Sequence, residues 1–185
     1  MTEEEWQKCE DPHAMLEALC PGASDRKLCL LSLYCHRQLC PMFSGEVEPY
    51  EAYERIDDFG DPMPAVRAAR EQHPDYWEFD GTARGFAECI TRPSAVGPWR
   101  SVAPIVREIF GNPFHPVAVE PRWQTETVVA IATGIYAERA FDRLPILADA
   151  LEEAGCDNGD VLSHCRGPGP HVRGCWVVDL LLRKE

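Results

Sequence analysis

From Asp25 to Cys40 the apolar residues Leu28, Cys29, Leu30, Leu31, Leu33, Tyr34, Cys35 and Leu39 fall on nearly every side of a helical wheel. That pattern predicts a buried helix rather than a surface one, and Pro41 ends it by removing a backbone donor. Upstream, Thr2 and Glu5 have capping-box spacing ahead of Trp6, and Asp11-Pro12 reads as an N-cap followed by proline at the first helical position. Ser24 and Asp25 can cap the buried helix itself.

Downstream, Tyr50, Tyr53, Ile56 and Phe59 give residues 48 to 59 an amphipathic pattern, and shorter helices are predicted over 65–72 and 82–90. A helix over 98–110 carries Val102, Ile105, Val106, Ile109 and Phe110 and closes at Gly111-Asn112-Pro113. Val128, Ile131, Ala132, Ile135 and Tyr136 mark an amphipathic helix over 125–140, and Leu147, Ala148 and Leu151 mark another over 145–154. Asp157 or Asn158 caps a short helix with Val161 and Leu162, and a last helix carries Val172, Trp176, Val177, Leu180 and Leu181. Val117 to Val119, within a proline-rich connector from Phe114 to Trp123, is the best strand candidate in a chain with little alternation. The fold class is therefore all-α: a compact bundle of about eight short helices joined by Pro/Gly-rich connectors. One domain over residues 1–185 is expected, with a lobe boundary near 73–81, where aromatic and acidic side chains crowd a predicted loop.

Composition narrows the partners. A formal net charge of −13 would repel a phosphate backbone, so no nucleic acid is expected. Residues 1 to 61 alone carry fourteen Asp or Glu against five Lys or Arg, which suits a protein partner with a basic surface. The start, Met1 to Glu5, is acidic where a secretory signal is basic and then apolar; no run approaches the roughly 20 apolar residues of a membrane span, and no lipidation signal ends the chain. A cytoplasmic location is expected, with no membrane. Nine cysteines, an odd number, in a reducing compartment argue against a disulfide framework.

Candidate chemistry concentrates near the end. His171 and Cys175 are four apart, which would place them on one side of the predicted last helix. His164 and Cys165 lie across the Gly167-Pro168-Gly169-Pro170 turn, with Cys156 further upstream. Imidazoles and thiolates gathered this way suit zinc. Cys35, His36 and Cys40, with Cys9 or Cys20, form a second group of the same kind. Because no Cys-x-x-Cys occurs and cysteine is often buried for packing alone, core packing is the preferred reading of both groups. Arg166, His171 and Arg173 beside the turn form a candidate anion site, although Pro168 and Pro170 lack the amide donors of a phosphate cradle.

Cys165 or Cys175 with His164 or His171 is a candidate for nucleophilic chemistry, while Asp149, Glu152 and Glu153 read as a solvated helix face. No nucleotide-binding, metalloprotease or hydrolase motif occurs, so no catalytic residue is assigned. Tyr76, Trp77 and Phe79, in the predicted loop, are candidate partner contacts.

The stretch Leu147-Ala-Asp-Ala-Leu-Glu-Glu-Ala-Gly-Cys156 resembles the ADWLEERGD helix of the repeat-companion domains of planctomycete bacteria, with Ala150 where that pattern has Trp. Glu5-Trp6 with Cys9 to Leu16, Ala23 to Leu28, Ile109 to Phe114 and His164 to Trp176 resemble parts of a longer protein type from the same bacteria. The resemblance implies no activity, cofactor or catalytic residue. Three functions follow as expectations: a helical protein-interaction or adaptor module first, a small zinc-binding protein second, and an enzyme with a cleft between helices third.

Overall fold

The computed structural model describes residues 1–19, 22–39 and 102–184. Among them the fold is all-α, with no strand. They belong to two compact units, Met1–Val106 and Arg107–Glu185. The boundary expected near 73–81 lies outside the described residues, as do the helices predicted over 48–59, 65–72 and 82–90 and the candidate contacts Tyr76, Trp77 and Phe79.

The first unit opens with α1 (Glu3–Lys8), α2 (Pro12–Leu19) and α3 (Asp25–Leu39). Each begins where a short polar side chain satisfies the free amides of a first turn. Glu5 N–H donates to Thr2 Oγ1 (3.3 Å) while Thr2 N–H donates to Glu5 Oε2 (2.7 Å), completing the capping box. His13 N–H donates to Asp11 Oδ1 (2.9 Å), and Lys27 N–H donates to Ser24 Oγ (3.3 Å). In α3 the consecutive residues Leu28, Cys29, Leu30, Leu31 and Ser32 are all buried, as the all-round apolar pattern predicts. The one polar member, Ser32, donates its hydroxyl to the Leu28 carbonyl (2.8 Å), so its burial leaves no donor unsatisfied.

Helix α4 (Ala103–Phe110) runs into the second unit and ends at Gly111, whose φ of +70° is the left-handed cap that glycine adopts without a Cβ penalty. The rest of this unit is α5 (Glu126–Glu138), α6 (Leu144–Glu153), α7 (Gly159–Arg166) and α8 (Trp176–Leu182). Helix α6 packs on α5 and α7, and α8 packs on α5 and α7, so the four close a ring around one core. Val128, Ala132, Ile135, Leu144, Leu147, Leu151, Val161, Val177 and Leu181 fill it.

Val117 to Val119 form no strand: Pro113, Pro116 and Pro121 interrupt the run of amide donors that a ladder needs. The connector instead ends in a 3-10 turn, Pro121–Trp123, that drops Trp123 into the core at 2% exposure. The last helix also starts later than its apolar pattern suggests, at Trp176 rather than near Val172.

Asn158, not Asp157, caps α7, with Asp160 N–H and Val161 N–H both donating to its Oδ1 at 3.1 Å. Asn158→Ala should cost about 1 kcal/mol of stability. Urea denaturation measures it, and an unchanged midpoint would show that the cap carries no weight.

Candidate metal centre

Glu108 lies on α4 between Arg107 and Ile109, and its side chain is only 3% exposed. A buried carboxylate needs partners, since transfer of an ionised group out of water costs several kcal/mol. The partners come from the end of α7 and from the segment that follows it. Val172 N–H donates to Glu108 Oε1 (3.3 Å), and His171 Nδ1 lies 3.3 Å from Oε1 and 3.2 Å from Oε2. His164 Nε2 lies 3.3 Å from Glu108 Oε2 and 3.2 Å from Cys175 Sγ.

Local structure explains how each side chain arrives. His164 sits in the last turn of α7, which stops at Gly167, whose N–H donates to the His164 carbonyl (3.1 Å). The chain then doubles back without helix until a turn, Cys175 N–H donating to the Val172 carbonyl (3.0 Å), leads into α8. Cys175 is the N-cap of α8 and is 1% exposed. The ring of His164 meets that of His171 edge-on, centroids 5.1 Å apart, and that of Trp176 at 5.2 Å. The result is a buried group in which one donor atom from each of Glu108, His164, His171 and Cys175 lies within 4.8 Å of every other.

Burial dominates the electrostatics. It raises Glu108 above the usual carboxylate range, against the opposing pull of His171. It lowers His164 to about 4, so this imidazole is neutral at pH 7, while the Glu108 carboxylate holds His171 above its ordinary value. Burial and the Glu108 charge push the Cys175 thiol well above its usual range, partly offset by the backbone N–H groups of Val177 and Val178.

Of the candidate ligands, the structure brings together His164, His171 and Cys175. Cys156 and Cys165 lie outside the group, and Glu108 takes the remaining place. Adjacent helical residues point about 100° apart, so His164 and Cys165 cannot face one ion from the same turn. Cys165 is instead fully buried, with a thiol pushed up to about 12. Cys156 lies ahead of α7, before its N-cap Asn158. His171 and Cys175 do meet, but through a turn rather than along one helix face.

Glu108 is not legible as a ligand in the sequence, because Glu is not diagnostic and it lies far from the other three. The available signal was its position three residues after Ile105, a charge one turn on from an apolar residue of the same helix.

The anion site does not form around a common point. Arg166 donates to Asp149 (2.8 Å) and to Glu152, His171 faces Glu108, and Arg173 lies over the Tyr136 ring at 4.9 Å. Asp149 and Glu152 are thereby tied to α7, and Glu153 is exposed. In the second cysteine group, Cys35 is buried with its thiol pushed up to about 12, and Cys9 donates Sγ–H to the Asp11 carbonyl (3.4 Å). The His36 side chain, Cys20 and Cys40 lie outside the described residues.

Nucleophilic use of Cys175 also has the wrong geometry. In a relay, one imidazole nitrogen faces the thiol and the other faces the carboxylate. Here His164 presents the same Nε2 to both, and the thiol is buried and held protonated. The fold and the cluster define an all-α protein with a buried carboxylate, two imidazoles and a thiol that could hold a metal ion. Comparison with protein-family models, with curated proteins and with solved structures finds no match. No helix among the described residues is long and apolar enough to cross a membrane.

Proposed function

We propose that this chain is a zinc-binding protein in which Glu108, His164, His171 and Cys175 hold one ion that ties α4 to the α7–α8 turn. The observation that supports this reading is the convergence of four metal-binding donor atoms within 4.8 Å of one another in the protein interior. Zinc bonds of about 2.0 to 2.3 Å in tetrahedral array put neighbouring donors about 3.4 to 3.6 Å apart. Three spacings of 3.2 to 3.3 Å around Glu108 Oε2 and His164 Nε2 are close to that, and the other pairs lie within 4.8 Å, so an ion would draw those donors inward. Charge agrees too: one thiolate and one carboxylate neutralise Zn²⁺, which suits a site taken out of water. Mixed imidazole, thiolate and carboxylate donors favour zinc over the oxygen-seeking calcium and magnesium.

Four protein donors complete a tetrahedron, so the ion's part here is to hold segments together. Glu108 is 56 positions before His164, and the link therefore closes a long loop of chain.

Native mass spectrometry of untagged protein purified without chelator should show one zinc increment, lost on adding chelator and absent in Cys175→Ser. A metal-free wild-type mass, also unchanged after incubation with zinc, would sink the reading.

Binding must also expel the proton from Cys175, whose thiol is protonated at neutral pH in the metal-free state. Affinity should therefore rise with pH. Calorimetry in two buffers of different ionisation enthalpy should show net proton release, and a buffer-independent enthalpy would contradict thiolate ligation.

A further inference from the structure

The Gly167-Pro168-Gly169-Pro170 turn is the most distinctive segment of the chain, and the four donors alone leave it without a role. The structure places it around His171. His171 Nε2 lies 3.2 Å from the Gly167 carbonyl oxygen, on the side of the ring away from Nδ1. A carbonyl only accepts, so Nε2 carries the hydrogen of that bond, and Nδ1, which faces the Glu108 carboxylate, is the nitrogen that gives a lone pair to a metal ion once its own proton is displaced. His164 is arranged the other way, with Nε2 directed at both Cys175 Sγ and Glu108 Oε2.

The glycines let the turn lie this close. At Gly169, with φ of +86°, an added Cβ would sit 2.9 Å from the His171 backbone nitrogen and 3.2 Å from its Cδ2. At Gly167 it would sit 3.2 Å from the Ser163 carbonyl and 3.3 Å from that of His164. These neighbours include backbone atoms, which cannot swing aside as the end of a long side chain can. Pro168 and Pro170 fix φ on either side of Gly169 and narrow the paths the turn can take.

We infer that the two histidines ligate the metal through different nitrogens, His171 through Nδ1 and His164 through Nε2, and that the Gly167–Pro170 turn imposes the choice. Gly167, by its carbonyl, and Gly169, by its missing side chain, are positioning residues for His171, comparable to the outer hydrogen bonds that orient histidine ligands in metal sites. This rests on the zinc reading above.

The test is NMR of the full-length protein loaded with zinc, with ¹³C and ¹⁵N in histidine, because ring carbon and nitrogen shifts report which nitrogen is metal-bound. One histidine bound through Nδ1 and one through Nε2, assigned to His171 and His164 by single substitution, is the expected result. If zinc binds but both rings ligate through Nε2, the inference is overturned and the metal site stands. If the same sample takes up no zinc, both fall.

Gly169→Ala supplies a second measurement, with Gly155→Ala as its control. Gly155 also has a left-handed backbone (φ +82°), but a Cβ there meets only the Arg122 side chain, no closer than 3.6 Å. Gly169→Ala should weaken zinc binding at least about tenfold. Gly155→Ala should leave it unchanged even if it lowers the melting temperature. Equal zinc affinity in the two variants would overturn the positioning role of the turn.

Discussion

Adding a strong chelator to the zinc-loaded protein is expected to lower its melting temperature by roughly 8 to 16 °C. At a thousandfold excess of free zinc over Kd, selective binding to the folded state stabilises it by about 4 kcal/mol, and each kcal/mol moves the midpoint of a chain this long by roughly 2 to 4 °C. If Arg107–Glu185, the unit that contains the four donors, melts separately, calorimetry would show a larger shift in that transition alone, because each kcal/mol moves the midpoint of a shorter chain further. Cys175→Ser should reproduce most of the loss, because serine supplies neither a thiolate nor the same reach, and should make the protein indifferent to chelator. A wild-type midpoint that does not move with chelator, measured on protein shown to contain zinc, would mean that the ion adds nothing to folding and would leave the cluster without the structural role proposed for it.

Replacing Glu108 should strongly destabilise the metal-free protein. In that state the carboxylate still receives the Val172 amide and faces His171, and both histidines are mostly buried. Glu108→Ala removes the anion and leaves the raised His171 with a proton it can no longer share. Breaking a buried pair by deleting one partner costs about 3 to 5 kcal/mol, against about 1 kcal/mol for the helix cap at Asn158. Urea denaturation in chelator isolates this loss from that of the metal. Glu108→Gln keeps the shape and one acceptor for Val172, so it should destabilise less, while still weakening zinc. A cost for Glu108→Ala within about 0.5 kcal/mol of zero, the range of ordinary surface changes, would show that the carboxylate is not the buried centre of this network.

The order of these two effects separates the packing reading of the C-terminal cysteines from the ligand reading. Cys165 and Cys175 are both buried thiols with strongly raised pKa, but only Cys175 touches an imidazole aimed at a carboxylate. Packing alone accounts for Cys165. It does not account for a carboxylate and two imidazoles beside Cys175, since burying those groups in an apolar core costs far more than burying sulfur.

Local rules that act within a turn or two were legible in the chain alone. The capping box at Thr2 and Glu5, the cap at Ser24, the burial of Leu28 to Ser32 in α3 and the apolar face of α5 each depend on residues within a few positions of one another. So did the nomination of His164, His171 and Cys175, which are close in sequence and carry the donor types that zinc takes. Tertiary structure alone decided which neighbours of those three were excluded and which distant residue joined them. Helical geometry turns Cys165 away from His164, Cys156 stays outside the group ahead of α7, and α4 delivers Glu108 from 56 positions upstream. No local pattern marks such a residue, because its role is set by what a fold places opposite it. The same holds for the Gly-Pro-Gly-Pro turn: glycine and proline announce a change of direction, but only the folded chain shows that its carbonyl ends on His171 Nε2.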